Sequence, residues 1–474
     1  MAASEPAGII AAGTAAATPY YVKDGRGDGP SVMIIAGMHG NEPAGVCAAD
    51  QIRQWPVMRG RLVVLPRANV AALAVEKRNT PAEPRGLENL NRNFPKARQR
   101  GQASGALAAA LWEFTRQQKP DWLIDLHEGA DFNSMTNKSA GSSVIVSRTP
   151  EARSLAPVIQ SAVNATITNQ NIHFTVIGPP VDGSLARAAR AHLGAHSIIL
   201  ETTTKSQPLS LRTRQHRIMV HALLCQLGMI DGASTPERML PPDRAPGETR
   251  IALYDAEGTG GQGVPRLSKI LAARPRTTLT RVCGADIASG ALSQFDLLIV
   301  PGGSASKEAA AIGAAGRGRI REFVLAGGGY IGICAGSYLA TSGFSWGLKI
   351  LDAKTASPKW RRGTGLVKLE LTDRGREILV DRRDQFDCRY ANGPILVPAQ
   401  LEMLQDFEPL ALFRTELAEN GTPRGLMVDS PAIVAGLCGA GRVLCSSPHP
   451  ESTPGLEALI SRAVDWATTE TGAQ

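Results

Sequence analysis

Short apolar runs along this chain repeatedly end in a polar, chemistry-bearing residue set beside glycine. Val32 to Ala36 leads into Gly37-Met38-His39-Gly40-Asn41-Glu42, with Pro43 directly after it. A run of that length bounded by glycine predicts a buried strand, and Pro43 suits the first position of a helix. The stretch Asp121 to Gly129 carries a second run that ends in His127, and Ser197 to Leu200 is a third that ends in Glu201. Between them the pattern predicts helices over Pro43–Trp55, Gly105–Gln118, Glu151–Val163, Ser184–His192 and Leu211–Leu227. It predicts further strands at Leu62–Leu65, Ser143–Val146 and Phe174–Ile177. Strands alternating with helices imply a mainly parallel sheet.

The pattern breaks between Asp231 and Arg250, where Pro236, Pro241, Pro242 and Pro246 crowd among Gly, Ser and charge. Such composition predicts a linker. A new alternation then begins at Ile251–Tyr254 and continues with Phe295–Val300, Pro301-Gly302-Gly303 and the glycine-rich Gly327–Gly336. The expected organisation is α/β throughout. A domain over residues 1–230, a linker over 231–249 and a second domain over 250–474 are each read as a mainly parallel or mixed sheet flanked by helices.

Length supports that division, since 474 residues allow two or three domains and 43% hydrophobic content is ordinary for globular protein. The net charge of +8 is mild for this size and its basic residues are scattered, which argues against nucleic acid as a partner. No run approaches the length needed to span a membrane. The Ala-rich start has no Lys or Arg before Lys23, so it lacks the positive start of a secretory signal; it reads as a loose end plus a first strand. Seven cysteines without CxxC spacing argue against a disulfide framework and for a reducing cytoplasm. Composition leaves the oligomeric state open.

Three strand ends at one sheet edge give the first candidate site. In open α/β sheets, ligands bind beyond the carboxyl ends of the strands. His39, Glu42 and His127 offer two imidazoles and a carboxylate, the donor set of a catalytic zinc site that keeps a position for water. Glu201 is the candidate general base. The polar loop from Glu76 to Arg100 supplies anion chemistry: the Arg92 guanidinium and Asn91 amide suit a substrate carboxylate. Glu128, next to His127, is a possible second carboxylate, although a strand residue beside a ligand more often points the other way. His173, His192, His196, His216 and His221 read as surface or helix residues.

Gly-Met-His-Gly-Asn-Glu, Asn-Leu-Asn-Arg-Asn-Phe-Pro at 89–95, Asp-Leu-His at 125–127 and Leu-Glu-Thr at 200–202 together resemble the zinc carboxypeptidase superfamily, nearest its succinylglutamate desuccinylase and aspartoacylase branch. The resemblance implies Zn2+ as cofactor and a small carboxylate-bearing amide or peptide as substrate. It also implies that Arg78, with Arg85 as the alternative, stabilises the oxyanion of the tetrahedral intermediate. Two departures stand out. The family motif usually has Asp where this chain has Asn89, a residue that orients a zinc-ligating imidazole, and no tyrosine occurs between Tyr21 and Tyr254 to serve as a lid.

In the second half, Gly332-Ile333-Cys334-Ala335-Gly336 has the nucleophile-elbow form, in which a sharp strand-to-helix turn exposes the central side chain. Ser447-Pro448-His449-Pro450-Glu451 supplies a base and an orienting carboxylate, so Cys334, His449 and Glu451 make a candidate triad. Pro301-Gly302-Gly303 is placed to complete its oxyanion hole. These motifs, with Asn392-Gly393-Pro394, resemble the flavodoxin-like class I glutamine amidotransferase superfamily and its branch at the amino end of some biotin-protein ligases. Ser337-Tyr338 departs from the glutaminase continuation, which makes glutamine a poor candidate substrate. Gly258, Gly260 and Gly263 fit Gly-x-Gly-x-x-Gly, but no acidic residue follows at the dinucleotide spacing, so a plain glycine-rich turn is expected. The function expected is a bifunctional amide hydrolase. The alternative is a zinc hydrolase whose second half is a non-catalytic binding or assembly module.

Overall fold

The computed structural model describes residues 5–98, 101–134, 137, 139–232, 244–379 and 385–469. The chain divides into two compact units, Met1–Arg244 and Ala245–Gln474. Most of the proline-rich stretch, positions 233–243, lies outside the described residues.

In chain order the first unit comprises β1 (Gly8–Ile10), β2 (Thr18–Asp24), β3 (Gly27–Ala36), α1 (Pro43–Ile52), β4 (Arg59–Leu65), α2 (Val70–Ala74), α3 (Ala106–Gln118), β5 (Trp122–Gly129), β6 (Ser143–Val146), α4 (Pro150–Asn164), β7 (Thr175–Ile177), α5 (Leu185–Leu193), β8 (His196–Thr203) and α6 (Leu209–Gln226). The eight strands run in the order β1-β2-β4-β3-β5-β8-β6-β7. The centre, β4-β3-β5-β8, is parallel. Antiparallel pairings join it to β2 on one side and β6 on the other, so the sheet is mixed.

Strand parity builds the layers. Val32, Ile34 and Ala36 face a core shared with α1, α4 and α6, while Met33 and Ile35 face the opposite core with α3 and α5. Because both faces are covered, these strands read as continuous apolar runs rather than alternating ones. The same parity sorts the polar strand ends. Trp122, Ile124 and Leu126 belong to the α1/α4/α6 face and Leu123 to the other, so Asp125 and His127 point with Leu123 and Glu128 points oppositely.

The second unit comprises β9 (Thr249–Tyr254), α7 (Gly263–Ala272), β10 (Thr277–Val282), α8 (Gly284–Ala288), β11 (Leu297–Val300), α9 (Ala305–Leu325), β12 (Gly329–Ile333), α10 (Ala335–Ala340), β13 (Ala353–Thr355), β14 (Thr364–Leu371), α11 (Asp373–Leu379), β15 (Gln385–Ala391), β16 (Leu396–Pro398), β17 (Glu408–Phe413), β18 (Pro431–Cys438), β19 (Gly441–Ser446) and α12 (Glu457–Ala467). Its nine-stranded sheet has the order β10-β9-β11-β12-β19-β18-β17-β14-β15. The first five strands are parallel in a flavodoxin-like succession. The remaining four continue antiparallel. A separate two-stranded sheet pairs β13 with β16.

None of the seven cysteines is bridged. Among the described residues no helix is long and apolar enough to cross a membrane.

Candidate functional sites

The turn after β3 begins at Gly37, whose φ of +71° favours glycine. At Gly40 a Cβ would lie 1.9 Å from the Ala72 carbonyl oxygen, so only glycine lets the turn pack against the 72–77 segment. Glu42 stands at the N-cap of α1 with no side-chain cap hydrogen bond, and Pro43 opens the helix. The carboxylate is thereby left for other partners. Its Oε1 accepts from His39 Nδ1 and its Oε2 from His127 Nδ1, each at 2.8 Å. One ligand atom from each of His39, Glu42 and His127 falls within 4.8 Å of the others, and all three residues are buried.

The outer nitrogens of both imidazoles are also held. His39 Nε2 donates to Asn89 Oδ1 at 3.1 Å, so the carboxamide that replaces the family's Asp keeps the contact without the charge. His127 Nε2 lies 3.0 Å from Asp125 Oδ2 and 3.1 Å from Asn91 Nδ2. Imidazoles gripped from behind with their other nitrogens converging are the arrangement of a histidine metal site, and two His with one carboxylate fit zinc. Electrostatics follow from the same contacts. Burial pushes the Glu42 carboxyl up, but His127 and His39 overcome it and hold the group down at about 2. Burial opposes charge on His127 as well, yet Asp125 and Glu42 raise it well above an ordinary histidine.

Glu201 ends the apolar part of β8 directly opposite His127 in the parallel register, and the parity that puts Ile199 on the α3/α5 side puts Glu201 there too. Burial raises its carboxyl to about 7, with Glu42 and Asp125 adding to the rise and His127 and Arg78 opposing it. Arg78 reaches the cluster, donating to Glu42 Oε1 at 2.8 Å while its side chain stays 47% exposed. Arg92 is exposed and donates to the Asn91 carbonyl at 2.7 Å. Burial and the neighbouring Arg78 lower its pKa, and Glu201 acts against them. The Asn91 side chain is buried, and its Oδ1 is committed to the Leu185 N–H at the start of α5, leaving Nδ2 as the group beside His127.

Three further residues lie close to this cluster: Asp125, to which the sequence attaches no role, Glu128, expected to point away, and His216, expected as a surface or helix residue. Asp125 is fully buried two positions before His127 on the same strand face, a polar interruption of an apolar run that parity could have flagged. Glu128 does point the other way: Oε1 accepts from the Ala44 N–H at 2.7 Å and the carboxylate pairs with Arg212 of α6. Its own N–H donates to Glu42 Oε2 at 3.2 Å, so Glu128 ties the start of α1 to β5. His216 lies within α6 but is fully buried, with Nε2 3.2 Å from the Thr202 hydroxyl. Burial, with His127 and Arg212, lowers it to about 3, so it stays neutral.

In the second unit Cys334 sits between β12 and α10 with φ 50° and ψ −96°. A non-glycine residue in that region is a strained turn of the elbow kind. Its flanking glycines are sterically required: a Cβ on Gly332 would lie 2.5 Å from the Gly336 carbonyl carbon, and one on Gly336 2.1 Å from the Val300 oxygen. His449 follows β19, the parallel neighbour of β12, which brings it to the same sheet edge. Its Nδ1 donates to Glu451 Oε1 at 2.8 Å, and Glu451 is buried. A Cβ on Gly302 would meet His449 Cε1 at 2.6 Å and Cys334 Cβ at 3.5 Å, so both side chains press on that glycine. The Cys334 thiol donates to the Ala391 carbonyl at 3.4 Å, while His449 Nε2 has no hydrogen-bond partner among the described residues. Burial disfavours charge on His449, but the neighbouring Cys334 and Glu451 raise its pKa above the ordinary value. Ser337, where the glutaminase pattern differs, pins the elbow through its hydroxyl to the carbonyls of Gly332 (2.9 Å) and Ser446 (2.8 Å). Gly258 and Gly260 lie in the turn after β9, and Gly263 opens α7. The Gly260 N–H donates to the Gly302 carbonyl at 3.0 Å, so this is a packed turn against the 301–303 loop.

Two stretches of the chain match the models of known families. Residues 28–218 match the succinylglutamate desuccinylase/aspartoacylase catalytic domain, and residues 252–354 match the biotin-protein ligase N-terminal domain. The N-alpha-acetyl-L-2,4-diaminobutyric acid deacetylase of Halomonas elongata is 31% identical over 110 residues, which is 22% of this chain and 30% of that protein. The chain thus spans under a third of the curated relative it matches. Among solved structures, the apo cell shape determinant Csd4 of Helicobacter pylori aligns over 90% of this chain and 99% of its own, at 12% identity and a TM-score of 0.40. The ectoine utilization protein EutE (DoeB) of Ruegeria pomeroyi aligns over 46% of this chain and 63% of its own, at 20% identity and a TM-score of 0.33. One chain therefore carries a stretch similar to the succinylglutamate desuccinylase/aspartoacylase catalytic domain followed by one similar to the biotin-protein ligase N-terminal domain.

Proposed function

We propose that the first unit is a zinc-dependent hydrolase that cleaves an amide bond in a small carboxylate-bearing N-acyl amino acid or peptide. The observation that carries this reading is the convergence of His39, Glu42 and His127 at one sheet edge, with both imidazoles held from behind by a second polar group. Zinc in a site of this composition acidifies water and polarises a carbonyl. The chain's own groups account for the rest. Glu201, with a carboxyl at about 7, is ionised enough near neutrality to take a proton from the attacking water and to return it to the departing amine nitrogen. The products are a carboxylic acid and an amine. Arg78, beside Glu42 yet open to solvent, offers its guanidinium to the oxyanion of the tetrahedral intermediate. Arg92, with the Nδ2 of Asn91, receives the substrate carboxylate.

The deacetylase likeness makes N-acetyl amino acids a natural first panel, with N-succinyl amino acids and small peptides beside them. Metal analysis of the purified chain should find close to one zinc, and a chelator should abolish hydrolysis. Glu201→Gln should lower kcat by about 10²–10⁴-fold while zinc content stays unchanged. A chain without zinc, or cleavage untouched by chelation, would sink the reading.

For the second unit we propose a Cys334–His449–Glu451 amidase or amidotransferase-like site. The strained elbow and the His449–Glu451 pair support it. One observation favours the other reading, a non-catalytic binding or assembly module: the thiol's hydrogen bond goes to the Ala391 carbonyl, and His449 Nε2 has no hydrogen-bond partner among the described residues. Labelling with iodoacetamide across pH separates them, because an activated Cys334 reacts well below the pH of ordinary thiols. We place the chain in the cytoplasm, a proposal that its unbridged cysteines support.

A further inference from the structure

Behind the Cys334 site, between α7, α12 and the 3-10 turn Pro450–Ser452, the second unit has a cavity of about 710 Å³. That volume is on the scale of small-molecule sites. Part of its lining is apolar, from Ile270, Ala273, Pro454 and Ala458. Its charges are unevenly matched. Asp465 is taken up by Arg274 at 2.7 Å and Arg462 at 3.5 Å. Arg266 and Lys269 have no ion-pair partner among the described residues, and the other carboxylates of the lining are the exposed Glu457 and the buried Glu451, whose Oε1 accepts from His449 and Ser452. Two cations beside an apolar surface suit an anion with a short hydrocarbon body.

The cavity also touches the triad. Glu451 is part of its lining, and a continuous chain of hydrogen bonds runs from the rim to the base. Arg266 Nη1 donates to the Ser452 carbonyl at 3.3 Å, the Ser452 hydroxyl donates to Glu451 Oε1 at 3.0 Å, and the same oxygen accepts from His449 Nδ1 at 2.8 Å. The other carboxylate oxygen, Glu451 Oε2, is buried without a partner among the described residues. Arg266 is therefore both an anion-binding group on the rim and a tether on the turn that positions Glu451.

We propose that this cavity binds a small aliphatic carboxylate through Arg266 and Lys269. An anion that draws the guanidinium away from Ser452 loosens the turn and so weakens the hold of Glu451 on His449. The binding half of this proposal is independent of the reading of the second unit; the coupling half rests on Cys334, His449 and Glu451 forming a working site.

Calorimetric titration of the full chain with butyrate, and separately with inorganic phosphate, tests it. Butyrate should show a saturable site that survives Arg92→Ala and is weakened at least about tenfold in Arg266→Ala/Lys269→Ala. Phosphate should bind more weakly than butyrate; equal or tighter binding would overturn the apolar wall's part in the site. No saturable site, or one undiminished in the double variant, would overturn the proposal outright. Saturating butyrate should slow iodoacetamide labelling of Cys334 at least about threefold in the parent chain and leave Arg266→Ala unaffected. Unchanged labelling on an activated Cys334 would overturn the coupling. A Cys334 that titrates as an ordinary thiol, in a chain that still binds butyrate, would remove the catalytic reading and leave the binding site standing.

Discussion

The two imidazoles of the first unit are backed by unequal partners. His39 is oriented by the neutral Asn89 carboxamide at 3.1 Å and His127 by the Asp125 carboxylate at 3.0 Å. A carboxylate behind a ligating imidazole fixes the ring and raises its basicity, and loss of such a partner costs roughly 10–100-fold in metal affinity. The charge that the family motif places behind the first histidine is missing here, and a charge stands behind the other. Asn89→Asp should therefore tighten zinc binding by about tenfold, since the new carboxylate keeps the acceptor for both His39 and the Asn91 N–H. Asp125→Asn should weaken it by a similar factor. Competition against a chromogenic chelator measures both; an Asn89→Asp chain no tighter than the parent would show that the ring's orientation alone matters. The sequence made His39, Glu42 and His127 legible because each closes an apolar run beside glycine or proline. It attached no role to Asp125 and took the buried His216 for a surface or helix residue, because neither a polar residue inside an apolar run nor a histidine in a polar helix stretch carries a mark of which face it joins until the neighbouring layers are known.

At the scale of elements, register does what residue type cannot. β5 and β8 pair in parallel with His127 opposite Glu201, and the same alternation sends Glu128 to Ala44 and Arg212 on the far face. The apolar runs and their glycine or proline ends were enough to locate most strands and helices to within a few residues, as with Ser143–Val146. What they could not supply was pairing partners, so the antiparallel joins at β2 and β6 and the four antiparallel strands of the second sheet emerge only in three dimensions. Close approach between elements is equally invisible in one dimension. Gly302 reads as a turn glycine, yet it is the space into which Cys334 and His449 both pack. Gly302→Ala puts a methyl 2.6 Å from His449 Cε1, which forces the ring aside. Labelling of Cys334 at neutral pH should fall by roughly tenfold or more if His449 activates the thiol, a loss of about 1.4 kcal/mol or greater in barrier. The circular dichroism spectrum should stay that of the parent. Unchanged labelling would mean that the imidazole does not act on Cys334.

For the molecule as a whole, the second unit buries several carboxyls that neither site uses. Glu308, fully buried in the first turn of α9, is the one whose two oxygens both lack a hydrogen-bond partner among the described residues of that unit. Gly258 packs against it so closely that a Cβ there would lie 2.4 Å from the Glu308 nitrogen. Burial raises the carboxyl from an ordinary 4.5 to about 8. A folded chain thus keeps at neutral pH a proton that the unfolded chain has already released. The contribution to stability is complete below about pH 4.5 and falls as pH rises, until it is lost once the folded group ionises near pH 8. The loss is of the order of 3 kcal/mol, less than the full shift implies because the site relaxes when charged. Glu308→Gln fixes a neutral isostere and removes this slope. Urea unfolding of the full chain should find parent and variant within about 1 kcal/mol at pH 5, and the variant the more stable by roughly 2–3 kcal/mol at pH 9. Parallel pH profiles for the two chains would mean that the carboxyl finds water or a cation when it ionises, and that the second unit's core is more open around α9 than its packing indicates.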